Sequence, residues 1–151
     1  MTLDQAIERY GPITNGIWPN ETLFCSILKI PPDISQYWLN TAAGSQTTHI
    51  YCNKDLQEPL LIALQNVRDR GLLTALHTFD GCLNIREVRG EPEKISSHAY
   101  GISIDINAAS NKLGETGDIP PQLVECFTST GFNWGGRFHR KDPMHFSLGD
   151  W

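Results

Sequence analysis

Gly101-Ile102-Ser103-Ile104-Asp105-Ile106-Asn107 alternates strictly between apolar and polar side chains. Successive side chains of a β-strand point to opposite faces, so this stretch predicts a strand with three isoleucines on one face and Ser103, Asp105 and Asn107 on the other. The apolar face belongs in a core, and the polar face can line a cleft. An aspartate on such a strand needs a partner, because an unpaired buried charge is costly. A metal ion is one candidate, and Arg86 or Lys141 another.

Working outward, Met144 to Leu148 predicts a final strand, and Pro121 to Thr130 a helix opened by its proline and closed by Gly131. Upstream, Leu76 to Phe79 predicts a strand leading into a turn at Asp80-Gly81, and Thr47 to Cys52 another strand. Asp55 to Arg70 reads as the main core helix, with Leu56, Leu60, Leu64 and Val67 on one face and Gly71 as its stop. Thr2-x-x-Gln5 can form a capping box, which predicts a short helix over residues 3 to 9 ended by Gly11 and Pro12. From there to about residue 45 the pattern is irregular, with Pro19, Pro31 and Pro32 bounding a possible strand near Leu23 to Ile30. Strands alternating with a few helices predict an α+β domain, a small antiparallel sheet flanked by helices.

With 151 residues, the chain is long enough for one domain with a real core and short for two, so residues 1–151 are expected to form a single unit. A net charge of -5 argues against binding along a phosphate backbone, which needs clustered Lys and Arg, so no nucleic-acid partner is expected. The one basic stretch, Arg137 to Lys141, reads as a solvated loop. No apolar run approaches the roughly 20 residues that span a bilayer, so no membrane insertion is expected. The first ten residues lack the basic and apolar segments of a secretory signal, which predicts synthesis in the cytoplasm. Cys25, Cys52, Cys82 and Cys126 are widely spaced among apolar neighbours and read as buried free thiols.

Chemically unusual residues concentrate in the last third: Ser96-Ser97-His98-Ala99-Tyr100-Gly101 running into the strand, then Asp142-Pro143-Met144-His145. Two histidines and one carboxylate (His98, Asp105, His145) would leave zinc an open fourth position, the arrangement of a catalytic site. A cation there lowers the pKa of a water molecule and polarises a substrate carbonyl, and a carboxylate must then take the water's proton. Asp142, three residues before His145, can stand beside the metal without being a ligand.

These stretches resemble the D-alanyl-D-alanine carboxypeptidase and L-alanyl-D-glutamate endopeptidase family of zinc peptidases, in the wider group that includes lysostaphin-type enzymes and the Hedgehog signalling domain. Its pattern, S-x-H-x-x-G-x-A-x-D followed by D/E-x-x-H, is met by Ser96, His98, Gly101 and Asp105, then Asp142 and His145. Phe132-Asn133-Trp134-Gly135-Gly136 resembles the stretch preceding the last ligand, and Phe79 to Gly90 the arginine-bearing segment of bacteriophage members. The similarity runs from about Thr47 to Leu148. It implies that fold, Zn2+ held by His98, Asp105 and His145, and Asp142 as general base. It further implies Arg86 on the oxyanion or a substrate carboxylate, with Arg89 an alternative, and Ser96 touching substrate or orienting His98. Trp134 has two readings, a cleft wall or core. Ser103 stands in place of the usual Ala, and Ser147 where many relatives have Glu.

The substrate so implied is a peptidoglycan stem peptide, cut after L-alanine as in phage endolysins or, alternatively, at a terminal D-alanine. A monomer acting on the wall after release from the cytoplasm is expected. A zinc-bearing binding module without turnover is the rival from another class, and the acidic Asp142 speaks against it. His49, His77 and His139 are expected to be structural or exposed.

Overall fold

The computed structural model describes residues 1–151, the side chain of Pro92 excepted. Five α-helices and ten strands follow in the order α1 (Leu3–Tyr10), α2 (Glu21–Phe24), β1 (Cys25–Lys29), α3 (Pro32–Ser35), β2 (Leu39–Asn40), β3 (Ser45–Gln46), β4 (His49–Asn53) and α4 (Lys54–Asp69). The second half adds β5 (Thr78–Gly81), β6 (Glu87–Val88), β7 (Glu91–Ile95), β8 (Ser103–Ile106), α5 (Pro121–Thr128), β9 (Asn133–Trp134) and β10 (His145–Ser147), with short 3-10 turns between them. The architecture is α+β. The principal sheet has six strands in the order β3-β2-β5-β8-β10-β9. It is not wholly antiparallel as expected, because β2 runs parallel to β5.

The isoleucine strand lies in the middle of this sheet, between β5 and β10. Ile104 and Ile106 enter the main core with Leu56, Leu60, Leu64 and Val67 of α4 and Leu123, Val124 and Phe127 of α5. Burying one such side chain contributes about 1.5–3 kcal/mol, which is how an alternating sequence becomes a fixed central strand. Ile102 goes elsewhere, into a second cluster with Ala6, Tyr10, Trp18, Cys25 and Tyr100. The first third of the chain thereby gains a definite job. Its aromatic rings pack on Tyr100, with centroids at 5.6 Å from Tyr10 and 5.3 Å from Trp18, and the Tyr100 hydroxyl donates to the Gly11 carbonyl at 3.0 Å.

Several expected boundaries move for physical reasons. The capping box at Thr2 and Gln5 forms, and the helix it opens runs to Tyr10. The strand predicted from Leu76 starts at Thr78 after a 3-10 turn, and Asp80 and Gly81 belong to it, Gly81 pairing with Asp105. The Thr47–Cys52 strand is His49–Asn53, and it pairs with β1 in a separate ribbon. The last helix ends at Thr128 instead of Thr130.

Asn107 departs most from expectation. It turns left-handed (φ 53°) just past β8 and leaves the cleft face altogether. Its Oδ1 accepts from the backbone N–H of His77 (2.8 Å) and Thr78 (3.1 Å), and its Nδ2 donates to Ala75 O (2.8 Å). Asparagine tolerates this backbone conformation better than most residues. Here it ties the end of β8 to the start of β5.

Candidate metal centre

His98 sits on a 3-10 turn, Ser97–Tyr100, which is held at four points. Ser96 Oγ accepts from the His98 backbone N–H at 3.3 Å, so Ser96 orients the turn while also facing the cleft. Gly101 closes the turn in a left-handed conformation (φ 64°), and a Cβ there would press on the Asn53 backbone nitrogen at 3.0 Å. Asn53, the N-cap of α4, donates its side-chain amide to Tyr100 O at 3.1 Å. The aromatic cluster from the first third supports Tyr100 from behind.

The other two histidine-cluster members are sheet residues. Asp105 and His145 are direct cross-strand partners on β8 and β10. His98 Nε2 and His145 Nδ1 are 3.0 Å apart, and Asp105 Oδ1 lies 3.2 Å from each. Among the described residues these three groups form a possible metal set, and Asp105 finds its partners there instead of at Arg86 or Lys141. His49, His77 and His139 are exposed and stand apart.

The donor set fits zinc. Tetrahedral bonds of about 2.0–2.1 Å place ligand atoms roughly 3.3 Å from one another. The outer nitrogens are both tied off, His98 Nδ1 to the Cys82 carbonyl at 2.7 Å and His145 Nε2 to Ser97 Oγ at 3.4 Å. A carbonyl only accepts, so the first contact fixes hydrogen on Nδ1 of His98 and turns the Nε2 lone pair of the neutral ring towards Asp105 and His145. Burial opposes ionisation of Asp105, but the His98 and His145 rings outweigh it and hold the carboxyl below the ordinary range. Burial likewise opposes charge on His98, and Asp105 overcomes it and raises the imidazole. Such a cluster attracts positive charge, whether as protons or as a cation.

Asp142 reaches the centre through a tight turn: its carbonyl accepts from His145 N at 3.0 Å, and its own N–H donates to Gly135 O at 2.9 Å. Gly135 is required there, since a Cβ would run into the Asp142 carbonyl and lie 3.1 Å from His145 Cβ. Asp142 Oδ1 is buried with no hydrogen-bond partner. Burial pushes its carboxyl above the ordinary range, with His145 pulling the other way and Asp105 adding to the rise. Arg86 lines the same cleft, and its Nε is buried without a partner. Asp142 and Arg86 thus bring groups of opposite charge to one cleft, each with a buried atom that no protein group satisfies.

Residues 89–148 match the family model described as D-alanyl-D-alanine carboxypeptidase. The matched segment carries all three clustered ligands and Asp142. The match supports a metallopeptidase in general, and it covers less of the chain than the resemblance expected from residue 47. Arg86 lies just outside it. No curated protein and no solved structure matches the chain.

Some cleft residues differ from expectation. Trp134 is not in the cleft wall: it stacks near Phe146 (centroids 6.4 Å) and donates to Pro143 O at 2.8 Å, propping the Asp142 turn. The walls are Phe138, whose ring lies 6.1 Å from that of His145, and Trp151, which donates to Ile95 O at 2.8 Å. Arg137 to Lys141 is therefore more than a solvated loop, because Phe138 and Arg140 both face the cleft. Arg89 also faces it, from the tip of the β6–β7 hairpin, and its carbonyl accepts from Arg140. Ser97, on the 3-10 turn, and Ser103 and Ser147, at buried strand positions, pack against His145 and one another, and only their polarity hinted at a role. All four cysteines are buried and free, as expected. No helix of the described residues is long and apolar enough to cross a membrane.

Proposed function

We propose that the chain is a zinc peptidase that cuts a peptidoglycan stem peptide, most specifically the bond between L-alanine and D-glutamate. The observation that carries this reading is the convergence of His98, Asp105 and His145 at 3.0–3.2 Å beside an unpartnered Asp142 carboxylate. Zinc held by the three ligands would acidify a water molecule and polarise the scissile carbonyl. The Asp142 carboxylate takes the water's proton and delivers it to the leaving amine. Arg86, at the cleft with Nη1 anchored on Glu87 O, sets its guanidinium charge against the negative charge that develops on the carbonyl oxygen. Phe138 and Trp151 flank the peptide and restrict water.

The description of the matched family favours a second reading, removal of a terminal D-alanine. Arg86, Arg89 and Arg140 around one cleft could recognise a terminal carboxylate. Digestion of purified peptidoglycan, followed by mass spectrometry of the released peptides, separates the two. New D-glutamate amino termini support the endopeptidase, and free D-alanine the carboxypeptidase. Products unchanged by a chelator, or no products, would overturn the zinc peptidase reading.

A further inference from the structure

From Ser97 at the cleft floor back behind His145, three serine side chains and one backbone amide form a continuous line. Gly149 N–H donates to Ser147 Oγ at 2.8 Å, Ser147 Oγ is 2.7 Å from Ser103 Oγ, and Ser103 Oγ is 2.6 Å from Ser97 Oγ. Ser97 Oγ then reaches His145 Nε2 at 3.4 Å. Ser103 and Ser147 are fully buried and Ser97 is 2% exposed, so the line is shut off from solvent.

Each hydroxyl has one hydrogen to give, and this makes the line directional. Gly149 N–H can only donate. With a bare Nε2 at the other end, Ser147 donates to Ser103, Ser103 to Ser97 and Ser97 to His145, and every hydrogen is used. His145 then carries its own hydrogen on Nδ1, directed at Asp105 Oδ1, 3.2 Å away. A metal at Nδ1 requires the opposite. The hydrogen moves to Nε2, Ser97 becomes its acceptor, Ser97 and Ser103 turn to donate towards Ser147, and the Ser147 hydrogen is left without an acceptor on the line. His98 has no such freedom, because the Cys82 carbonyl accepts in either state.

We propose that Ser97, Ser103 and Ser147 are positioning residues of the metal centre, a buried hydroxyl chain that selects the ring nitrogen of His145 and reverses its donor direction when that nitrogen takes metal. This rests on the three-ligand site described above. The ligand set is thus asymmetric: His98 is preset for metal, and His145 is converted by it. Outer partners of metal-bound histidines typically alter metal affinity by about 10–100-fold when removed. Here that outer partner is Ser97, and Ser103 and Ser147 set which way its hydroxyl points.

Long-range 1H–15N NMR of the histidine rings in the full chain, recorded with and without zinc chloride, reads which nitrogen of His145 bears hydrogen. The expected result is Nδ1 without zinc and Nε2 with it, while His98 keeps hydrogen on Nδ1 throughout. Competition against a chromophoric chelator should show zinc affinity reduced about tenfold or more in Ser97→Ala, which removes the partner of His145 Nε2. Hydrogen on Nε2 of His145 in the zinc-free chain would overturn the proposal, as would wild-type zinc affinity in a folded Ser97→Ala chain. Failure of the wild-type chain to bind zinc would instead overturn the metal reading, and the zinc-free spectrum would still decide the direction of the chain.

Discussion

Replacing Asn107 by alanine should be among the most destabilising single changes outside the apolar core. The side chain makes three hydrogen bonds to backbone, to His77 N, Thr78 N and Ala75 O. At about 1 kcal/mol net each, their loss costs about 3 kcal/mol. Alanine must also hold the left-handed backbone (φ 53°) that asparagine tolerates better, adding about 1 kcal/mol. Water can reach the exposed His77 end, which lowers the total to about 3 kcal/mol. With a urea m-value of about 2 kcal/mol/M, the midpoint of unfolding should fall by about 1.5 M. Asn107→Gly removes the same hydrogen bonds but relieves the backbone, and should lie between the two. A loss under about 1 kcal/mol in Asn107→Ala would refute the idea that this side chain joins β8 to β5, as would an Asn107→Gly chain less stable than the alanine variant.

Gly135→Ala sets a Cβ against the Asp142 backbone, which must retreat by about 1 Å, a displacement that costs roughly 100-fold in kcat/KM on the cleaved peptide. Undiminished activity would mean the Asp142 turn is not held by this contact. Asp142→Ala should abolish turnover while zinc content, read by atomic absorption, stays near that of the wild type, and loss of zinc would make Asp142 a ligand. Asp55 is held below the usual carboxylate range chiefly by Arg9, with burial opposing and Tyr10 assisting. Its contribution is therefore complete above the unfolded pKa of about 3.9 and is lost as pH falls through the lower folded value. The melting-temperature gap between wild type and Asp55→Asn should be steady at neutral pH and shrink below about pH 4, and a gap that widens on acidification would contradict this.

What could be read in the sequence was what local periodicity encodes. The alternation of Ile102, Ile104 and Ile106, and the spacing of Leu56, Leu60, Leu64 and Val67, state directly which face is buried. The motif likewise named three side chains that the fold brings together. The pieces that escaped depend on distant pairing. Strands β2 and β3 are two residues each and exist only because β5 lies beside β2 and β2 beside β3. Ser103 and Ser147 are 44 residues apart and meet because β8 and β10 align. The polar residue at 107 looked like a continuation of the strand's polar face, since alternation alone carries no sign of a left-handed turn.

Two of the three clustered ligands are opposite one another on neighbouring strands, although 40 positions separate them along the chain. Their spacing is thus a property of the pleat, as fixed as the distance between rungs of a ladder. The stretch joining the strands hangs outside that measurement. Lengthening, shortening or recutting the chain between Lys112 and Asp118, which touches Lys141 and Pro143 on either side of Asp142, would reshape the rim of the cleft and the approach to Asp142 without shifting the two side chains on the rungs. One scaffold could therefore be refitted to a different peptide by exchanging its rim alone.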